Sequence, residues 1–227
     1  MNIKNNKGFT LIEVIVVMGV FLFIVGAAIS IFISVVQNQK KVLAEQQLIN
    51  QISYVEEYMS KALRMAATDM SPNGDCVPNG YIYLLTRPDT EENLFRGVRF
   101  LNQSTGDCQE FFLDVSGANG PVLKELKGSS GRKVPLENES ANATEITSLN
   151  LEINEIKFSI NGSGGSTFSN SASCEGPEQC GASNKDKIQP RLTIVFNIKV
   201  AGDSQQPDRI IQSTVSQRNL NVYDAEQ

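Results

Sequence analysis

Glu13 is the first residue whose chemistry stands out, a carboxylate one position ahead of a long uncharged run. From Val14 to Val36 the chain reads VIVVMGVFLFIVGAAISIFISVV, without a charge or a proline. A carboxylate in a lipid-crossing helix costs up to roughly 2.5–3.5 kcal/mol, the figure for the helix centre, which marks it for pairing with a cation. No cationic side chain follows before Lys40, so either the partner comes from outside this helix, or Glu13 sits at the interface or is protonated. A polar leader containing Lys4 and Lys7 ends in Gly8, and Phe9 opens the apolar stretch. The remaining groups of chemical interest are four cysteines, Cys76, Cys108, Cys174 and Cys180, all beyond the apolar run. Histidine is absent, which removes the commonest general base, the usual zinc ligand and the histidine-dependent triads.

These residues must be carried by a membrane helix and something larger. At helical rise, residues 14–36 extend about 34 Å, enough for a hydrocarbon core of about 30 Å. A removable secretory signal is shorter and followed by a small-residue cleavage site, whereas here the helical pattern runs on. The chain has 227 residues, room for one ordinary domain plus an appendage. With 41% hydrophobic residues it can build a core. Twenty Lys and Arg against 25 Asp and Glu give a net charge of −5, which argues against a sequence-independent nucleic-acid binder.

The run Gly8-Phe9-Thr10-Leu11-Ile12-Glu13 resembles the GFTLIE signal of type IV pilins and type II secretion pseudopilins, without a substitution. The resemblance implies a structural subunit, not an enzyme; no cofactor is expected, and the absence of histidine and of a Cys-x-x-Cys pair argues against a metal. In that family a membrane-embedded peptidase cuts between the residues matching Gly8 and Phe9 and N-methylates the new terminus, here Phe9. The carboxylate matching Glu13 then neutralises the terminal amine of a neighbouring subunit during assembly. The implied partners are other pilin or pseudopilin subunits, the prepilin peptidase, the inner-membrane assembly machinery and membrane lipid. Nucleic acid is not expected among them. The implied location is a single pass of the inner membrane with the amino terminus cytoplasmic and the head periplasmic or extracellular, before incorporation into a filament.

The division that follows is a leader at residues 1–8, a long helix at 9–68 with its span at about 14–36, and a β-rich head at 69–227. Beyond Lys41, apolar Leu48, Ile52, Val55, Met59, Ala62 and Ala66 recur at helical spacing, and Ser71-Pro72-Asn73-Gly74 supplies a stop. Such a helix, continuous to about Thr68, would be about 90 Å long and would pack its second half on the head. Many major pilins carry a helix-breaking proline where this chain has Ser30. Strand patterns appear at 81–85, 97–101, 110–115, 149–160, 191–200 and 212–222, with a phase slip between Ile153 and Ile156 that predicts a bulge or a bend. Gly- and Ser-rich stretches at 128–131 and 161–173 read as exposed loops. One long helix followed by strands indicates an α+β fold with a mainly antiparallel sheet.

If the head lies outside the cytosol, four cysteines admit three full pairings. The expected one is Cys76–Cys108 with Cys174–Cys180, the latter closing a short loop through turn-prone Gly176-Pro177. Asp69, Asp75 and Asp107 lack the spacing of a calcium loop and read as turn carboxylates. The tail Thr214-Val215-Ser216-Gln217-Arg218-Asn219 resembles the closing segment of minor J-type pseudopilins. That resemblance implies a minor subunit, one that takes part in a tip or initiation complex, with a variant major pilin as the alternative. The rival reading within the same family is a tip adhesin or DNA-uptake subunit whose head binds a ligand.

Overall fold

The chain divides into two compact units, Met1–Gln47 and Leu48–Gln227, joined along one helix. The computed structural model describes residues 8–71, 76–116, 120–128, 143–148, 151–161, 181–183, 189–200 and 208–218. The helix, α1, covers Leu11–Arg64, about 81 Å at helical rise. Ten strands follow among the described residues: β1 Ala66–Ala67, β2 Tyr81–Asp89, β3 Leu94–Asn102, β4 Cys108–Asp114, β5 Val122–Lys127, β6 Thr144–Glu145, β7 Leu151–Asn161, β8 Gly181–Ser183, β9 Arg191–Val200 and β10 Arg209–Ser216.

In the first unit the apolar side chains have nothing to cover them. Phe21, Phe23 and Phe32 are 60%, 79% and 68% exposed. A helix bare of polar groups and bare of partners is what lipid, not water, can solvate. Ser30, the conspicuous hydroxyl in this stretch, donates to the Gly26 carbonyl at 3.1 Å. That bond satisfies the hydroxyl internally and lets the helix continue without a break at this position. Among the described residues this is the one helix long and apolar enough to cross a membrane.

In the second unit the same helix becomes amphipathic. Leu48, Ile52, Val55, Met59 and Leu63 are buried, separated by steps of four, three, four and four. The sequence pattern places Ala62 and Ala66 at the end of this stripe. The structure turns fully buried Leu63 inward instead, leaves Ala62 half-buried, and takes Ala66 out of the helix. The helix ends at Arg64, four residues before the expected Thr68, because its last carbonyls find better partners. Met65 N–H donates to Ala62 O at 3.0 Å, Gln103 N–H to Met65 O at 2.8 Å and Arg218 N–H to Arg64 O at 2.9 Å. The Tyr83 hydroxyl donates to Leu63 O at 2.7 Å. These donors satisfy the carbonyls that any helix C-terminus leaves open. Ala66 and Ala67 then pair with Asn102 and Leu101 of β3.

The described strands form one antiparallel sheet in the order β10-β9-β7-β3-β4-β5-β6, with β1 and β2 also pairing with β3, and β8 with β2. Strands β7 and β9 run together from Leu151↔Val200 to Asn161↔Arg191, with a register shift between Ile153 and Glu155. Of the bulge or bend that the phase slip predicts, this is the bulge. It keeps Ile153 and Ile156 on the same buried face despite their odd spacing. The final strand starts and stops earlier than its sequence pattern suggests, at 209–216 rather than 212–222.

The face of the sheet toward α1 carries the main core, including Phe100, Phe111, Ile153, Phe196 and Ile198. Period-two alternation sends Cys108 and Phe112 of β4 to the other face, where they meet Cys76, Val77, Tyr81 and Leu126 in a smaller cluster. Burying both faces of β4 leaves its intervening polar groups buried too. Glu110, fully buried, accepts from Arg99 Nη2 at 2.7 Å, Thr86 Oγ1 at 2.8 Å and Arg87 Nε at 3.2 Å. The Arg87 guanidinium lies 4.3 Å from the Phe112 ring centroid. Gly97 makes this cluster possible: a Cβ there would stand 2.3 Å from Thr86 Oγ1. On the helix side, Tyr58 OH donates to Glu125 at 2.7 Å, and Gln109 Nε2 donates to the same carboxylate at 3.0 Å.

Candidate functional site

The N-terminal residues that carry chemistry lie around the first turn of α1. Gly8, Phe9 and Thr10 precede the helix and are exposed. Thr10 is the N-cap: its carbonyl accepts from Glu13 N–H at 3.1 Å and Val14 N–H at 3.3 Å. Its hydroxyl also accepts from Glu13 N–H, at 3.4 Å. Thr10-x-x-Glu13 is thus the sequence spacing of a capping box, and it explains why the helix begins at Leu11. The capping signal is legible in the sequence, but the functional pattern of the same residues masks it.

Two consequences follow for chemistry. The Gly8–Phe9 bond lies outside the helix, and nothing comes within 4 Å of where a Cβ on Gly8 would be. The Glu13 carboxylate lies in the first turn, near the positive end of the helix dipole, and is exposed. Phe9, Val14, Val17, Met18 and Phe21 border an apolar groove on this part of the helix, and among the described residues Glu13 has no ion-pair partner.

In the second unit, Cys76 and Cys108 are joined, with Cα atoms 5.4 Å apart. Asp69 holds the loop that delivers Cys76 to β4. Its carboxylate accepts from Ser71 N–H at 2.9 Å, Ser71 Oγ at 2.5 Å, Cys76 N–H at 2.9 Å and Val77 N–H at 3.1 Å. Burial works to raise the Asp69 pKa, but these donors outweigh it and leave the group below the ordinary aspartate value. Its oxygens are therefore occupied as loop organisers. Asp75, Cys174 and Cys180 lie outside the described residues, so the expected Cys174–Cys180 pairing does too.

The tail motif lies at the end of the sheet nearest the C-terminus of α1. Val215 enters the core and Gln217 is 3% exposed. Gln189 Nε2 donates to the Gln217 carbonyl at 2.5 Å, and Arg218 N–H completes the helix end at Arg64. Between the helix and this tail runs a groove of about 890 Å³, with Lys61, Arg64 and Arg218 among its lining residues. Nothing in the sequence signals this convergence, because the three cations come from segments about 150 residues apart.

Residues 3–29 match the family model described as the prokaryotic N-terminal methylation motif. No curated protein and no solved structure matches the chain.

Proposed function

We propose that this chain, which carries a type IV pilin-like prepilin signal ahead of a long apolar helix and an antiparallel sheet, is a structural subunit of a type IV pilus or a type II secretion pseudopilus. The observation that carries the reading is the match at residues 3–29, which includes Gly8, Phe9 and Glu13. The prepilin peptidase cuts after Gly8 and methylates the amine of Phe9. The helix holds the subunit in the inner membrane, amino terminus in the cytoplasm and head outside. Assembly brings the Glu13 carboxylate of one subunit to the Phe9 amine of the next, so that both charges leave lipid as a pair. The exposed apolar side chains of the first unit then exchange lipid for neighbouring helices. The tail segment Thr214 to Asn219 supports a minor position in such a filament.

The experiment is intact-mass and N-terminal sequencing of the membrane-extracted protein, from cells with and without the prepilin peptidase. The expected product starts at N-methyl-Phe9 and disappears without the peptidase. A Met1 start in the presence of an active peptidase would overturn the proposal.

A further inference from the structure

Lys61, Arg64 and Arg218 meet at one groove, and among the described residues none of them has a carboxylate within ion-pair distance. The arginines of β2 and β3 and the lysines of β5, by contrast, all hold carboxylates. The helix dipole accounts for Lys61 and Arg64 in the last turn of α1, but not for Arg218, which arrives from the end of the sheet. The floor of the groove is also incomplete: Gln217, though buried, has an Nε2 with no acceptor. Glu56 and Glu57 lie farther down the helix wall, so one end of the groove is basic and the other acidic.

The opposite end of the same hairpin carries the complementary charge. The β2–β3 turn, Asp89-Thr90-Glu91-Glu92, presents three carboxylates against Arg96. Glu91 has no ion-pair partner among the described residues, and Glu92 is crowded by the Glu155 carboxylate, which raises its pKa above the ordinary glutamate value. Strand β3 separates the two features. Its first residue follows this turn, and its end reaches the groove through Gln103 N–H on Met65 O and Ser104 in the groove wall. Nine residues at strand rise put them about 30 Å apart.

We infer that the acidic β2–β3 turn of one copy of this chain docks in the basic end of the Lys61–Arg64–Arg218 groove of the next copy. Donor and acceptor surfaces at opposite ends of one strand make a heterologous contact, which propagates in one direction instead of closing a dimer. The inference rests on the filament reading, takes the chain as repeated along the filament, against the single tip position that the tail resemblance implies, and extends that reading to the heads. The charges supply register and partner choice, and the helices supply the bulk of the contact area.

The test uses the full-length chain in phospholipid vesicles, half of it isotopically heavy, with a zero-length carbodiimide that joins carboxylates to amines in contact. The expected product is a mixed-label peptide linking Lys61 to Glu91 or Glu92. The Arg64→Glu/Arg218→Glu variant, which keeps the Lys61 amine, should reduce that product about tenfold through like-charge repulsion. Mixing it with the Glu91→Lys/Glu92→Lys variant should restore a link between the exchanged groups. Retention of the Cys76–Cys108 disulfide in each variant checks folding. Links confined to single copies, or inter-copy links that omit these positions, would overturn the contact. Links from Glu91 to a different subunit, when the assembly system is present, would overturn it in favour of a single copy at the tip. The start of the mature chain at Phe9 is read separately, so the filament reading stands or falls independently.

Discussion

Replacing Glu110 by Gln should destabilise the second unit more than any surface change could. The carboxylate is fully buried and accepts from Arg99, Thr86 and Arg87, and the Arg99 side chain is itself 4% exposed. A glutamine keeps the shape but has one acceptor oxygen in place of two, and its NH₂ must face donors. One charge-assisted hydrogen bond, worth about 1.5–3 kcal/mol, is lost. The Arg99 charge is also left without a counter-charge, and breaking a buried pair in this way costs about 3–5 kcal/mol in total. With a urea slope of about 2 kcal/mol per molar, the midpoint should fall by about 1.5–2.5 M. Urea unfolding of the detergent-solubilised chain, followed by tyrosine fluorescence in a protein that has no tryptophan, reads this directly. The Arg99→Met/Glu110→Leu double variant should recover part of the loss, since an apolar pair replaces the buried ion pair at little cost while Thr86 and Arg87 still lose their acceptor. A single-variant loss below about 1 kcal/mol would refute the reasoning, because it would mean that water reaches Arg99 and that the cluster is not sealed.

Glu13→Val should leave the chain membrane-bound and cleaved but sharply reduce its incorporation into sheared filaments. Unchanged incorporation would remove the Phe9–Glu13 charge pair from the mechanism. Gly97→Ala places a methyl against Thr86 Oγ1 at 2.3 Å, Arg87 Cγ at 3.0 Å and Phe112 Cβ at 3.2 Å, so an overpacking loss of about 1–3 kcal/mol in urea unfolding is expected. Asp114, hydrogen-bonded by Lys124 and Ser116, has its pKa lowered to about 2. A group depressed in the folded state contributes stability above its ordinary value of 3.8 and loses it as pH falls toward about 2. Unfolding midpoints should therefore decline over that window, and Asp114→Asn should flatten the decline.

The sequence by itself was enough for the parts governed by local chemistry. An uncharged run of this length dictates a lipid-compatible helix whatever follows it, because its backbone must be satisfied internally. Gly8, Phe9 and Glu13 lie within one six-residue run, so their common motif needs no fold to bring it together. The slip between Ile153 and Ile156 was readable as a bulge or a bend, since one flat strand cannot put both on the same face, and the pairing with β9 shows the bulge. Cys76 and Cys108 were one of several allowed partners on paper, and the Asp69-organised loop made them neighbours.

The structure alone decided what depends on distant segments meeting. The helix stops at Arg64 because Gln103 and Arg218 arrive to take its carbonyls, and no window of local sequence contains them. Strands as short as Ala66–Ala67 and Thr144–Glu145 exist only because a neighbour offers an edge. Val122–Lys127 alternates too weakly to stand out and is held by β4. Glu110 reads as an ordinary surface carboxylate until the second cluster covers its face and Arg99 becomes its necessary partner. The charged groove and the acidic turn are likewise products of topology: one strand separates in space what the chain's order never relates, and Coulomb attraction acts on the distances that folding sets.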